Sequence, residues 1–170
     1  MYLLGHLGIG LGLAWLLSTR TRQPVDYRLV LLGAILPDLV DKPLGFLLGL
    51  EARLWTHTLL FLGIIVAVSS IPRVRGLVYL GFGVATHLLL DLIWEQPWIA
   101  LWPVMGTAFP PGTLDVIALL AVLWTNPVVL VGELVGTGIL IAFARSQGIT
   151  TWRALVQFLR NGTPSPNLSV

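Results

Sequence analysis

Polar residues are scarce along this chain and fall in small groups, and the apolar runs between those groups set the elements. Residues 2–19 form the first run, interrupted by His6 and by Gly5, Gly8, Gly10 and Gly12. Its length suits a membrane-crossing helix, and Gly8 and Gly12 make a G-x-x-x-G pair that lets a second helix approach closely. Arg20 and Arg22 follow the run, with no basic residue ahead of it and no small-residue cleavage site, so a retained helix is expected rather than a signal peptide. Gln23-Pro24 breaks the chain. A second helix is expected over about 27–37, stopped by the first proline of Leu36-Pro37-Asp38-Leu39-Val40-Asp41-Lys42-Pro43. A third covers about 54–71 with His57 near its start, the basic turn Pro72-Arg73-Val74-Arg75 follows, and a fourth covers about 76–95, ending just beyond Asp91. Residues 96–113 form a Pro/Gly/Trp-rich connection whose Trp98 and Trp102 suit a membrane interface. The stretch 114–145 is apolar but interrupted at Asn126-Pro127. As one helix it would be about 48 Å long against a ~30 Å hydrocarbon core, which predicts one kinked, tilted crossing. Glu133 lies inside it, either facing a cavity or, the preferred reading, paired within the bundle. Residues 151–160 suit a short interfacial helix and the last ten a loose tail, in which Asn161-Gly162-Thr163 is a chance-level glycosylation triplet.

Composition turns these runs into a class. Hydrophobic residues make up 56% of the chain and charged ones 11%, against about 25% charged in a soluble domain. The expectation is an all-α, polytopic transmembrane bundle of about five crossings, with one helical domain over 1–150 and a short helix and tail over 151–170. The absence of cysteine excludes disulfides and thiolate metal sites. The net charge of +2 is small and does not imply nucleic-acid binding. Its distribution is informative: Arg20, Arg22 and Arg28 flank the first connection, Arg73 and Arg75 fill the third, and Arg145, Arg153 and Arg160 follow the last crossing. The other two connections hold only Lys42 and Arg53. The positive-inside rule then predicts a multi-pass plasma (inner) membrane protein whose C-terminus is cytoplasmic.

That topology gathers the polar residues. Helices 1 and 3 start at the outer face with His6 and His57, and helices 2 and 4 end there with Asp38, Asp41, His87 and Asp91. His87 and Asp91, four residues apart, stack on one helix face. Singly, each residue has a bland reading: a hydrogen-bonded packing histidine, a helix-end Asp38, an Asp41 paired with Lys42, a Glu95 capping helix 4. Together, at one membrane depth, they predict a divalent-metal site built from nitrogen and oxygen ligands. Neutrality in a low-dielectric setting is met by one ion with two carboxylates, or by two ions with Asp38, Asp41, Asp91 and a hydroxide. A metal lowers the pKa of its water to about 7, and a metal pair clamps a phosphoryl group. The chain has no His-Glu-x-x-His, no Gly-x-Ser-x-Gly and no cysteine nucleophile, and the His87/Asp91 spacing is one short of the acyltransferase signature.

Gly5-His6, Leu36-Pro37-Asp38-x-x-Asp41, Thr56-His57 and His87-Leu-Leu-Leu-Asp91 followed by Trp102-Pro103 occur in one order. Over roughly residues 1–110 this order resembles the membrane-bound metal-dependent hydrolase family, also called the LexA-binding, inner-membrane-associated hydrolases. The order of ligands is also similar to soluble zinc-dependent phospholipases C and their related single-strand nucleases. The resemblance implies that Asp38, His57, His87 and Asp91 hold one zinc, with His6 holding a second across a bridging Asp91 and Asp41 serving as a further ligand or a base behind the ligands. The later His/His/Glu set of the soluble enzymes is missing and the N-terminus does not match theirs, so one or two ions are expected rather than three. The function that follows is hydrolysis of a phosphoester or phospholipid at the outer membrane face by metal-activated water, with Asp41, Asp91 and Glu95 as the acid–base candidates. Two other classes use the same residues: a divalent-metal binding or transport protein, which needs a polar path to the inner face that Glu133 alone keeps open, and an adaptor that sequesters a regulator. The enzyme ranks first, the transporter second.

Overall fold

The computed structural model describes residues 2–112 and 115–162, and its regular elements are all helical. They are α1 (Leu3–Thr21), α2 (Tyr27–Leu48), α3 (Leu59–Ser69), α4 (Leu77–Leu90), α5 (Pro97–Ala100), α6 (Val116–Thr125), α7 (Pro127–Ser146) and α8 (Trp152–Asn161), with 3₁₀ turns at Trp55–His57, Pro72–Val74 and Ile93–Glu95. One isolated bridge, Leu50 with Pro111, ties the loop after α2 to the loop before α6. The residues of the tail from 163 onward, including the last residue of the sequon triplet, lie outside the described residues.

Glycine sets the packing, because two helix pairs meet backbone to backbone. A Cβ on Gly8 would overlap the Gly136 carbonyl, and one on Gly136 would overlap that of Leu4, which fuses α1 to α7. Gly33 and Gly83 do the same for α2 and α4, against the carbonyls of Leu80 and Val30. Gly5 lies against Gly132 and Gly12 against Ile139, so α1 and α7 run parallel. Of the expected G-x-x-x-G pair, Gly8 makes the seam and Gly12 receives only a side chain. Such crossings suit a setting in which helices gain little from hydrophobic exclusion and must gain from close contact.

The arginine-rich end of the bundle is closed by an apolar cluster of Leu11, Ala14, Val25, Tyr27, Val30, Phe143 and Phe158. α8 docks there with Ala154 and Phe158 buried. The Arg28 guanidinium donates to the Leu159 and Arg160 carbonyls at the C-terminal end of α8, and Tyr27 N–H donates to the Gly162 carbonyl. Arg28 also hydrogen-bonds Asp26, which holds that carboxyl below the usual carboxylate range.

Three expectations need correction, and a fourth, the count of five crossings, is not confirmed. α2 does not stop at Pro37; it continues through Pro37 and Pro43 to Leu48. A proline removes one N–H and crowds the preceding turn, yet a helix survives that when neighbours satisfy the loosened carbonyls. The carbonyls freed here are those of Gly33 and Leu39; beside them the Pro37 carbonyl accepts the Thr56 hydroxyl at 3.1 Å and the Ala34 carbonyl is 2.8 Å from His87 Nδ1, contacts that tie this turn to its neighbours. The third helix is shorter than expected, because Asp41 holds residues 54–57 in a 3₁₀ turn and Thr58 then caps α3 through Phe61 N–H. The long stretch before residue 145 is two helices: Asn126 is extended and caps α7 by accepting from Val128 and Val129 N–H. Lastly, among the described residues one helix, α7, is long and apolar enough to cross a membrane by length and composition. α3 and α4, at 11 and 14 residues, are about 16 and 21 Å long. α4 ends at Asp91, and the turn that Asp41 holds delays the start of α3.

Candidate metal centre

Four elements converge at the end of the bundle opposite the arginines. α1 brings His6, α2 brings Asp38 and Asp41, the 3₁₀ turn before α3 brings His57, and α4 brings His87 with Asp91 at its C-cap. One ligand atom from each of Asp38, His57, His87 and Asp91 lies within 4.8 Å of the others. His57, His87 and Asp41 are fully buried, and His6 is 1% exposed.

Hydrogen bonds fix which nitrogen of each ring faces inward. His57 Nδ1 lies 2.8 Å from Asp41 Oδ2, and that carboxylate also accepts N–H bonds from Leu54, Thr56 and His57. His87 Nδ1 lies 2.8 Å from the Ala34 carbonyl. A carbonyl and an ionised carboxylate can only accept, so both rings carry their proton on Nδ1 and present Nε2 to the centre. The two Nε2 atoms are 3.2 Å apart. Two bare lone pairs at that distance repel unless a positive charge, a shared proton or a metal ion, sits between them. Two carboxylates at the same point favour the divalent ion: Asp38 Oδ1 lies 3.7 and 3.9 Å from the two Nε2 atoms, and Asp91 Oδ2 lies 3.8 and 3.9 Å from them. Ligand bonds of ~2.0–2.1 Å in a tetrahedron require edges of about 3.3 Å, so the two nitrogens and two oxygens, 3.2–3.9 Å apart across each nitrogen–nitrogen and nitrogen–oxygen pair, stand slightly wider than a closed set. The donor set therefore fits a metal ion.

The remaining expected site residues occupy distinct places. His6 Nε2 lies 3.1 Å from Asp91 Oδ1, and its ring stacks on His87 at 4.1 Å between centroids. His6 thus reaches the centre through Asp91, on the side away from His57. Asp41 is not among the four converging groups; its oxygens are occupied by backbone N–H groups and by His57 Nδ1, so it backs a ligand instead of being one. Glu95 is not brought in either. Leu92 takes a left-handed conformation (φ 52°) that turns the chain away after Asp91, and Glu95 is exposed on the following 3₁₀ turn.

Two cations unassigned from the sequence complete the surround. Lys42 Nζ is 2.6 Å from Asp38 Oδ2, one turn along α2, rather than paired with Asp41. Arg53 Nε and Nη2 both reach Asp91 Oδ2, at 3.2 and 3.1 Å. The four-residue spacing of Asp38 and Lys42 is the signal that would have found the first pair; nothing local marks the second. Glu133 also has its place. It accepts N–H bonds from Tyr2, Leu4 and Gly5 at 2.9, 3.0 and 2.9 Å, so this buried carboxylate caps the start of α1. The pairing expected within the bundle is found, with the backbone as partner. With its oxygens so engaged, Glu133 no longer argues for an ion path through the protein.

Because Asp41 fixes the His57 tautomer, Asp41→Asn is expected to weaken metal binding by about 10–100-fold, the usual cost of losing such a partner. Titration against a chelator of known affinity measures this, and wild-type affinity in the variant would remove Asp41 from the role.

A helical bundle sealed by glycine crossings around a buried two-histidine, two-aspartate centre defines the class: a helical membrane protein with a possible metal site. Family comparison is specific about the first part. The YdjM inner membrane protein family model matches residues 1–159, and the chain belongs to that family. Comparison with curated proteins and with solved structures gave no match.

Proposed function

We propose that this protein is a membrane-embedded, metal-dependent hydrolase that cleaves a phosphoester or phospholipid at the outer membrane face. The observation that carries the reading is the pair of inward Nε2 atoms 3.2 Å apart, each pinned from behind, with a carboxylate on either side. Asp38, His57, His87 and Asp91 would hold the ion. A mixed nitrogen and oxygen set suits zinc. When bound, such an ion polarises a phosphoryl oxygen and makes water a nucleophile near neutral pH. The chain's own residues do the rest. Asp41 and the Ala34 carbonyl keep both imidazoles in the tautomer that faces the site. Asp91 Oδ1 and His6 Nε2 form the pair placed to take a proton from the attacking water and return it to the leaving oxygen.

The test is direct. Purified protein loaded with zinc should hydrolyse bis(p-nitrophenyl) phosphate, lose that activity to a chelator, and recover it when zinc returns. Turnover no faster than protein-free buffer with every divalent metal tried would sink the hydrolase reading.

Orientation rests on the exposed basic residues. Arg20, Arg22, Arg73, Arg75, Arg145, Arg153 and Arg160 all lie at or near the end away from the site, which the positive-inside rule puts in the cytoplasm. A cysteine replacing Val104, which is 88% exposed in the connection beside the site, should react with an impermeant maleimide in intact cells. One replacing Val74, in the basic turn, should resist until the membrane is opened. The opposite pattern would move the site to the cytoplasmic face.

A further inference from the structure

Lys42 and Arg53 are the two basic side chains of the outer connections, and both end on a candidate metal ligand. Each neutralises one carboxylate: Lys42 takes Asp38, and Arg53 takes Asp91. Asp41 then supplies the one remaining negative charge among these groups, and the inward-facing imidazoles are neutral. A divalent ion brings two positive charges, so the loaded site holds a surplus of one in a largely apolar surround. A buried surplus charge is costly unless a counter-charge joins it. Glu133 is a further carboxylate beside His6, but its oxygens are taken by the Tyr2, Leu4 and Gly5 N–H groups and not by the centre, which leaves that role to the bound molecule. The two cations are also the more open partners, their side chains 27% and 32% exposed against 19% and 7% for Asp38 and Asp91.

A cavity of about 250 Å³ opens beside Asp38 and Lys42, and Arg53 is not part of its lining. Its polar wall is Tyr2, His6, Asp38 and Lys42, and Leu3, Ile35 and Leu39 form the apolar remainder. A molecule that fills it presents a charged group to Lys42 and a hydrocarbon group to the leucines and Ile35.

We propose that Lys42 and Arg53 form the anion-recognition half of this site, selecting an amphiphile that carries a single negative charge on a phosphodiester. The inference rests on the hydrolase reading only for the presence of the metal and the kind of molecule bound. A monoanion cancels the surplus charge; Lys42 meets it from the cavity wall, and Arg53 adds its charge from the Asp91 side of the centre. Lys42 and Arg53 are therefore specificity-determining residues, and the carboxylates they hold in the empty pocket keep them in place until the anion arrives.

The experiment measures binding, not turnover. Full-length, zinc-loaded protein in detergent is titrated with dihexyl phosphate, neutral trihexyl phosphate and dimethyl phosphate by calorimetry. Wild type should bind dihexyl phosphate at least tenfold more tightly than either of the others. Lys42→Met and Arg53→Met should each weaken dihexyl phosphate by tenfold or more while keeping their zinc and their weak affinity for trihexyl phosphate. Lys42→Arg should restore most of the loss. Dihexyl phosphate affinity within twofold of wild type in both methionine variants overturns the proposal, as does loss of zinc from both, which would make the cations mere holders of the ligand carboxylates. Equal affinity for dimethyl and dihexyl phosphate overturns the amphiphile and points to a water-soluble diester. A wild type that binds dihexyl phosphate through both cations yet cleaves no phosphodiester defeats the hydrolase reading alone and leaves the anion site standing.

Discussion

Asp91→Asn should leave the protein folded and inserted while lowering hydrolysis of bis(p-nitrophenyl) phosphate by about a thousandfold or more, roughly 4 kcal/mol of barrier. Asparagine keeps the shape of the side chain at the C-cap of α4, where the backbone N–H of residue 91 bonds the His87 carbonyl at 3.0 Å. What it removes is the charge. Asp91 meets Arg53 through Oδ2 and His6 through Oδ1, and that same Oδ2 lies 3.8–3.9 Å from both inward imidazole nitrogens. An amide presents one weak oxygen ligand and turns an N–H₂ donor toward either Arg53 or His6, so one of those contacts becomes repulsive. Asp91→Glu should recover little, because an extra methylene displaces the oxygen by about a bond length and ligand distances tolerate only about 0.2 Å. Full activity in a metal-loaded Asp91→Asn preparation would defeat the hydrolase mechanism and move the metal-binding or transport reading ahead of it.

His57→Ala and His87→Ala should each bring copurified metal from about one ion per chain to background, as read by elemental analysis of detergent-purified protein. Either change leaves three of four ligands, an incomplete cage around an ion that has lost its hydration. The two variants should differ in their side effects. Removing the His57 ring leaves Asp41 facing the backbone N–H groups of residues 54–57, so the 3₁₀ turn persists. Removing the His87 ring strips the Ala34 carbonyl of its contact one turn before Pro37 and takes away the face on which His6 stacks. His87→Ala should therefore also lower the unfolding temperature, and His57→Ala should do so less. Unchanged metal content in both would leave the histidines as packing residues only.

The depth argument made the convergence of His6, Asp38, His57, His87 and Asp91 legible before any coordinates, because alternating helix direction and clustered arginines are written in the sequence. The role of Asp41 was not legible. Asp38 and Asp41 sit three residues apart and look like a matched pair of ligands, yet one turns toward the centre and the other toward the 3₁₀ turn. That division depends on α2 continuing past Pro37, and a proline in a sequence does not say whether distant side chains will tie down the turn around it. Thr56 and His87 do so here through the Pro37 and Ala34 carbonyls, from 19 and 53 residues away. The same limit applies to the crossing count. Hydropathy measures the apolar run, but where a helix starts or stops is decided by groups such as Thr58, which caps α3, and Asp91, which ends α4. Glu133 was visible as an anomaly in an apolar run, and its partners, being backbone N–H groups, have no sequence signature at all.

The Glu133 contact also bears on the order in which the protein is made. Its partner Tyr2 leaves the ribosome 131 residues ahead of it. Throughout that interval the first turn of α1 has N–H groups with no acceptor from α7, and the Gly8 face waits for Gly136. The nascent chain thus holds every ligand of the centre well before the clamp beside His6 can close. Assembly is gated by the last long helix, and a chain released at Thr125 would carry the complete ligand set with nothing to seat the residue that reaches Asp91.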